Sequence, residues 1–406
     1  MGKQWWYFAL IIVILSAVTG RSTLLLVGIL LALVAAASAL WKRYSLAAVS
    51  YERRFDTDRL FLGEETTMTV SFTNAKPLPL AWLISVDELP AQIKLSSGEV
   101  LSSPDPRRQI FVNNLSLRWY ERVNRRHQIL ALQRGVWHFG PLQLSSGDIF
   151  GFSVSRINLP AEQTIVIYPK MVPLTGLRLA DWRPFGDFRT SRRILTDPLR
   201  LMGAREYVPG DNFRHIHWKA TARRRVLQTK VFEPSASREI ALFLNVRTSA
   251  YVNEGVDRDV LELAIITAAS IARWSWDRGY PVGLFANTIM RGIRSRIHVR
   301  PSNRADQLFQ ILDALARVED VSQWTMATLL GVEAPNLRFG SSIVIISPIL
   351  STRLKGRLLA LRQREFSVTL ITLGKASPLE AIPGVQWYHL GDDIHWQELE
   401  TLALAE

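Results

Sequence analysis

The chain has 406 residues, with 49 Lys and Arg against 36 Asp and Glu, and no cysteine. The missing cysteine excludes thiol nucleophiles, thiolate zinc sites, iron–sulfur clusters and disulfides. The formal charge of +13 calls for an anionic neighbour, which is nucleic acid, phospholipid or an acidic protein, and the length allows roughly two or three domains with separate cores.

Two apolar runs open the chain, residues 5–20 and 23–41, separated only by Arg21 and Ser22. The second approaches the roughly 20 residues that a spanning helix needs, while the first depends on Trp5, Trp6 and Tyr7 lying in the interface as an aromatic belt. The pair predicts a transmembrane helical hairpin over residues 1–43. A signal peptide followed by one anchor is the competing reading, because Lys3 and the first run resemble its opening regions, although "SAVTG" is a poor cleavage site. Lys42, Arg43, Arg53 and Arg54 follow the second run, and Arg21 alone sits between the two. The positive-inside rule then places both ends in the cytoplasm, giving a two-pass inner-membrane protein with cytoplasmic soluble domains. Membrane lipid is accordingly one expected partner of the basic surface.

Residues 51–170 read as a β-sandwich-like domain. "TMTVSFTN" (67–74) alternates at strand period, residues 80–90 form a strand ending at Pro90, and residues 163–169 form another. Gly135, Gly140, Pro141, Gly147 and Gly151 punctuate the stretch between them with tight turns. Residues 171–238 connect this region to an α/β domain over 239–406. There, apolar strands at 239–246, 281–287, 341–348 and 368–373 alternate with helical periods at 256–279, 304–319 and 351–365. Fully apolar strands alternating with helices predict a parallel, doubly wound sheet covered on both faces.

GxxxxGK[ST], GxGxxG, GxSxG and HExxH are all missing. Neither a phosphate-binding loop nor the commonest hydrolase or metalloprotease signatures can be placed, so no cofactor and no catalytic residue is expected. The first α/β strand runs into "LNVRTSA", and its position resembles the von Willebrand factor A fold, whose metal site begins with Asp-x-Ser-x-Ser at that point. The aligned residues here are Asn245, Arg247 and Ser249. An amide replaces the lead carboxylate and a guanidinium replaces a hydroxyl, a poor set for a hard divalent cation. A metal-free interaction domain follows from this.

The segment "AREYVPGDNFRHIHWKATARRR" (204–225) is the densest in functional residue types. Pro209-Gly210-Asp211 reads as a turn, with Asp211 capping a short helix that places Phe213, Ile216, His217 and Ala220 on one face. Tyr207, Arg214 and Trp218 are expected to pack this helix against the α/β domain as a structural clasp, with an exposed docking surface as the alternative. Nucleic-acid or anionic-lipid binding through the arginines is a further possibility. An acid/base cluster of Asp211, His215 and His217 is another.

The arrangement of Arg205, Tyr207, Gly210, Asp211, Arg214, Ile216, Trp218, Ala222 and Arg223 resembles the signature of the bacterial domain-of-unknown-function-58 proteins, as do the upstream "QRGVWHFGPLQLSSGDIFG" and the paired N-terminal runs. The resemblance implies a membrane-anchored protein with a von Willebrand factor A-like C-terminal domain and no established reaction. It also implies partnership with a MoxR-type AAA+ ATPase, and sometimes with a transglutaminase-like membrane protein. A membrane-tethered scaffold that binds protein partners is the function expected.

Overall fold

In the computed structural model, residues Gly2–Thr19 form helix α1 and Ser22–Tyr44 form helix α2. The structure describes all residues except 1, 150–152, 179–195, 235–238, 250–254, 293–294, 339, 365, 376–381, 392 and 405–406. The two helices pack together at Gly28, where a Cβ would come within 2.7 Å of the Val13 Cγ2 atom, so a small residue lets the backbones approach.

The expected pair of membrane spans does not form. Among the described residues one helix, α2, is long and apolar enough to cross a bilayer, and its place near the N-terminus is also that of a signal sequence. Among the described residues the apolar stretch of α1 is the shorter Leu10–Thr19. The two-pass hairpin is therefore corrected to a single candidate span.

The chain divides into two compact units, Met1–Pro169 and Lys170–Glu406. After α2 the first unit is largely β: β1 Val49–Phe55, β2 Arg59–Phe61, β3 Glu65–Asn74, β4 Leu80–Pro90, β5 Ile93–Leu95, β6 Glu99–Ser102, β7 Arg108–Leu117, β8 Arg122–Ala131, β9 Gly135–Phe139, β10 Leu142–Gly147, β11 Val154–Leu159 and β12 Gln163–Tyr168. They assemble into sheets of order β1-β3-β8-β5, β11-β10-β4-β7-β6 and β2-β12-β9. Period-two alternation explains the packing. In β3, Met68, Val70 and Phe72 are fully buried while Thr67, Thr69 and Thr73 are half-exposed. These side chains join Leu83, Phe111, Leu144 and Ile165 from the other sheets in one apolar core, the burial that drives a β domain together.

One charged pair lies inside this unit. Arg53 of β1 donates to Asp87 of β4, to the Ala161 carbonyl and to Gln163 Oε1, and Tyr51 Oη donates to Asp87 Oδ2 at 2.9 Å. Both charged side chains are 1% exposed. Burial pushes the Tyr51 phenol above its ordinary pKa.

In the second unit β13 Leu174–Thr175 pairs with the C-terminal strand β22 Leu402–Ala403. An arm follows, made of β14 Thr196–Glu206, helix α3 Trp218–Arg224 and β15 Gln228–Pro234, with β14 and β15 antiparallel. The remaining elements are β16 Ile240–Leu244, α4 Arg258–Asp277, β17 Val282–Ile289, β18 Arg296–Ser302, α5 Gln307–Ala316, α6 Met326–Glu333, β19 Ser342–Ile346, α7 Thr352–Gln363, β20 Ser367–Leu373 and β21 Gln386–Leu390. Their sheet has the order β18-β17-β16-β19-β20-β21.

The expected doubly wound, von Willebrand factor A-like layout with an all-parallel sheet is not clear here and is corrected. β17 turns back on itself into antiparallel β18, so the sheet is mixed, and among the described residues no helix joins β20 to β21. The hairpin is tight at Gly283, where a Cβ would lie 2.5 Å from the Pro301 nitrogen and 2.6 Å from the Val299 oxygen. Glycine there permits the register shift between Val282 and Leu284, and Pro301 on the outermost strand costs no ladder bond.

Candidate functional site

Two regions of the second unit carry the residues singled out by sequence. In the arm, Arg205 and Glu206 of β14 face Thr229 and Gln228 of β15. Tyr207 donates its amide to the Leu227 carbonyl at 2.8 Å, and the Asp211 amide closes the Val208–Asp211 turn at 3.0 Å. Gly210 takes φ +108° with open space around it, a backbone state that favours glycine.

Asp211 does not cap the helix. Its Oδ1 accepts from Arg205 Nη2 at 2.6 Å, and its Oδ2 accepts from the Val208 amide and from Thr229 Oγ1, each at 3.1 Å. The Arg205 hydrogen bond, followed by the Val208 amide, holds the Asp211 carboxyl below the usual carboxylate range. Capping falls to two neighbours: Asn212 accepts from the Arg214 amide to start a 3-10 turn, Phe213–His215, and His217 Nδ1 accepts from the Ala220 amide to start α3. Arg225 ends the helix in the left-handed region at φ +58°, a C-terminal stop usually taken by glycine. Asp211 and His217 are therefore engaged within the arm, Asp211 by Arg205, Thr229 and the Val208 amide and His217 by the Ala220 amide. Among the described residues no three His, Cys, Asp or Glu side chains gather as a metal site.

The clasp expectation also fails in its central residue. Ile216 is the buried member of the segment, bridging to Thr229, whereas Trp218 is 69% exposed and Phe213 is 70% exposed. Val208, Val226 and Leu227 are exposed beside them in sequence, as are Arg214, Ala222 and Arg223. Residues 203–230 contain seven Lys and Arg against two carboxylates. The arm thus presents aromatic and aliphatic side chains among cations, an exposed apolar composition that marks interaction sites more often than plain solvent-facing surface.

The second region lies where β16 ends. Asn245 is buried and its side-chain amide is bonded at both ends: Nδ2 donates to Ser347 Oγ at 2.8 Å, while Oδ1 accepts from Asn287 Nδ2 at 2.8 Å and from the Arg247 amide at 3.2 Å. Asn287 Oδ1 accepts from the Val246 amide at 2.9 Å, and its Nδ2 also donates to the Trp324 carbonyl at 3.0 Å. Arg247 and Ser249 are half-buried on the loop beyond. Asn245, with the Arg247 amide, is thus part of an amide lock that links β16 to β17 and to the residue after β19. Sequence alone missed Asn287 and Ser347 as its other members, although each is a polar residue that closes an apolar run, "VGLFAN" and "IVIIS".

Beside this lock is a cleft of about 600 Å³ whose lining includes Thr248, Asp257, Asp259, Lys375, His395 and Trp396. Asp257 caps α4, accepting from the Asp259 and Val260 amides, and Asp259 Oδ1 accepts from Trp396 Nε1 at 2.8 Å.

Residues 203–396 match the family described as "Protein of unknown function DUF58". The chain is also 24% identical over 268 residues to the uncharacterized protein YeaD of Bacillus subtilis, a stretch covering 66% of this chain and 61% of that protein. These two comparisons support the DUF58 family. Among solved structures, the Escherichia coli alpha-2-macroglobulin fragment from domain MG7 to the C-terminus is 17% identical with a TM-score of 0.22, covering 30% of this chain and 17% of that one. A cohesin module from a Clostridium perfringens family 33 glycoside hydrolase is 10% identical with a TM-score of 0.22, covering 30% and 96%. At these scores neither resemblance informs function.

Proposed function

We propose that this DUF58 chain is an adaptor tethered to the membrane by α2, which binds a protein partner through the arm at residues 204–227 and carries out no reaction itself. The observation behind the reading is the exposure of Trp218 and Phe213 among cations on an element whose own fold is closed by Asp211, Ile216 and Thr229. Large amphipathic aromatics flanked by arginine are the residues that dominate protein–protein binding energy, and the excess of cations favours an acidic partner surface. A MoxR-type AAA+ ATPase is the partner that the family resemblance brings forward, with a transglutaminase-like membrane protein second. Lys42 and Arg43 end α2, and under the positive-inside rule these cations support a cytoplasmic side for the residues that follow the helix.

The test is copurification of the full chain, in mild detergent, with the MoxR-type ATPase of its own host. Wild-type chain is expected to retain the ATPase, and Phe213→Ala and Trp218→Ala are expected to release it while the chain stays folded. Equal retention by all three chains would sink the reading. Exposed Trp218 among arginines is also the chemistry that stacks on nucleic-acid bases. Tight binding to single-stranded DNA or RNA that weakens steeply with salt would favour that alternative.

A further inference from the structure

Helix α2 has two buried residues, Gly28 and Ser38, and Ser38 reaches outside the helix pair. Its hydroxyl donates to the carboxylate of Asp148, at the end of β10, and lies 3.2 Å from the hydroxyl of Ser153, which precedes β11. Ser153 Oγ itself donates to Asp148 Oδ2 at 2.8 Å. Asp148 is 1% exposed, its amide donates to the Ser153 carbonyl, and its own carbonyl accepts from Trp82 Nε1. Gly147 is essential to the fit, because a Cβ there would lie 2.1 Å from the Ser153 oxygen. Both limbs of the β10–β11 hairpin are thus fastened to one point on α2.

That point has a definite depth if α2 is the anchor. The charge-free part of α2, residues 22–41, measures about 30 Å, the thickness of the hydrocarbon core. Ser38 precedes Lys42 by four residues, which is about 6 Å along the helix axis. With Lys42 and Arg43 at the headgroups and Trp41 at the interface, Ser38 and the hairpin end bound to it sit at the boundary between headgroups and acyl chains. The side chains offered there suit that boundary. Ile149 is 62% exposed and Val154 43% exposed; Val154 and Arg156 share a face of β11, which is the edge strand of its sheet. An apolar side chain beside a cation on an open edge matches a surface that is apolar within and anionic at the rim.

We infer that the described flanks of the β10–β11 connection, Asp148–Ile149 and Ser153–Val154, form a membrane-contacting element, seated on α2 by the Ser38–Asp148–Ser153 cluster, with Ile149 entering the lipid interface. The inference rests on the reading of α2 as the membrane anchor, and its occupant is the bilayer itself.

Because the chain has no cysteine, single-cysteine variants of the full chain can each carry one environment-sensitive fluorophore. Ile149→Cys, Leu30→Cys and Trp119→Cys chains would be reconstituted in liposomes of phosphatidylcholine and phosphatidylglycerol. Trp119 is 65% exposed in the β7–β8 turn and serves as the aqueous reference. The label at 149 is expected to shift to the blue, to be protected several-fold from aqueous iodide relative to 119, and to be quenched by a nitroxide placed high on the acyl chain. The label at 30 is expected to be quenched by a deep nitroxide. Water-like behaviour at 149 with lipid burial at 30 would overturn the inference and leave the anchor intact, whereas water-like behaviour at 30 would overturn the anchor reading and the inference with it. Protection at 149 in native membranes but not in purified liposomes would mean that a protein covers the hairpin, and would also overturn it. Adding Ser38→Ala should return the 149 label toward water without moving the 30 label; an unchanged 149 label would refute the seating role of the cluster.

Discussion

Trp218 and Ile216 are two residues apart, and their truncations separate docking from folding. About a third of Trp218 is covered, since the residue is 69% exposed. Of the roughly 250 Å² that a large aromatic buries when fully enclosed, some 80 Å² is therefore at stake, less than about 2 kcal/mol at ~25 cal/mol per Å² and less again against a compact unfolded chain. Ile216 is 3% exposed, and trimming a buried isoleucine to alanine costs about 2–5 kcal/mol. Trp218→Ala should therefore leave the arm folded, with hydrogen exchange at Tyr207, His217 and Gln228 close to wild type, while Ile216→Ala should accelerate exchange at all three. If Trp218 is a binding anchor, its loss costs at least about 2 kcal/mol of affinity, roughly 30-fold in Kd for the ATPase partner. Faster arm exchange in Trp218→Ala than in Ile216→Ala, or undiminished partner affinity in the folded variant, would refute the reasoning.

Two further outcomes follow from buried or bonded charges. Asp87→Ala should destabilise the first unit by about 3–5 kcal/mol in thermal or denaturant unfolding, because it strands the Arg53 guanidinium, 1% exposed, without its counter-charge. Asp211 has a folded-state pKa below its unfolded value of 3.8, so its stabilising contribution is complete above that value and is lost as pH falls through the lower, folded one. Exchange protection at Val208 should consequently be flat above about pH 5 and decline in stronger acid, and Asp211→Asn should remove that acid-dependent decline.

How much of this is legible in the sequence depends on what the residues report. Period-two alternation in "TMTVSFTN" and the unbroken apolar run of β16 are statements about burial, and burial decides both elements. β18 carries the same alternation in "RIHVRPS", with Gly292 at φ +82° before it, yet its charged outer face hides the strand. An antiparallel edge thereby escapes notice. At the N-terminus the charge-free run of residues 5–20 misleads because low charge alone does not make a span. Trp218 misleads for a different reason: composition predicts burial for a tryptophan within a domain, whereas the arm closes on its own β14–β15 hairpin and leaves the ring outside. Asp211 is readable as a capping type of residue, but Asn212 and His217 have the same capacity, and the bond from Arg205 decides among them.

Asn245 allows a sharper test of the amide lock. In Asn245→Asp the carboxylate can still accept from Asn287 and from the Arg247 amide, but it has no hydrogen to give Ser347 Oγ, which itself donates to the Ile349 carbonyl at 2.6 Å. Either Ser347 turns toward the new carboxylate and abandons Ile349, or its oxygen faces the carboxylate without a bridging proton. A buried partner left unsatisfied costs about 1–3 kcal/mol. The substitution is thus expected to lower the Tm of the second unit, and to lower it further as pH rises, since burial disfavours the charged form of a carboxyl group. Restoring the lead carboxylate does not restore a cation site, because Arg247 still stands where the metal-binding pattern has a hydroxyl and the lock still occupies both acceptor directions of residue 245. Millimolar magnesium should therefore leave the Tm of Asn245→Asp unchanged. A rise in Tm with magnesium, absent from the wild type, would show that the lock opens to a cation and that a single amide is what keeps the site closed.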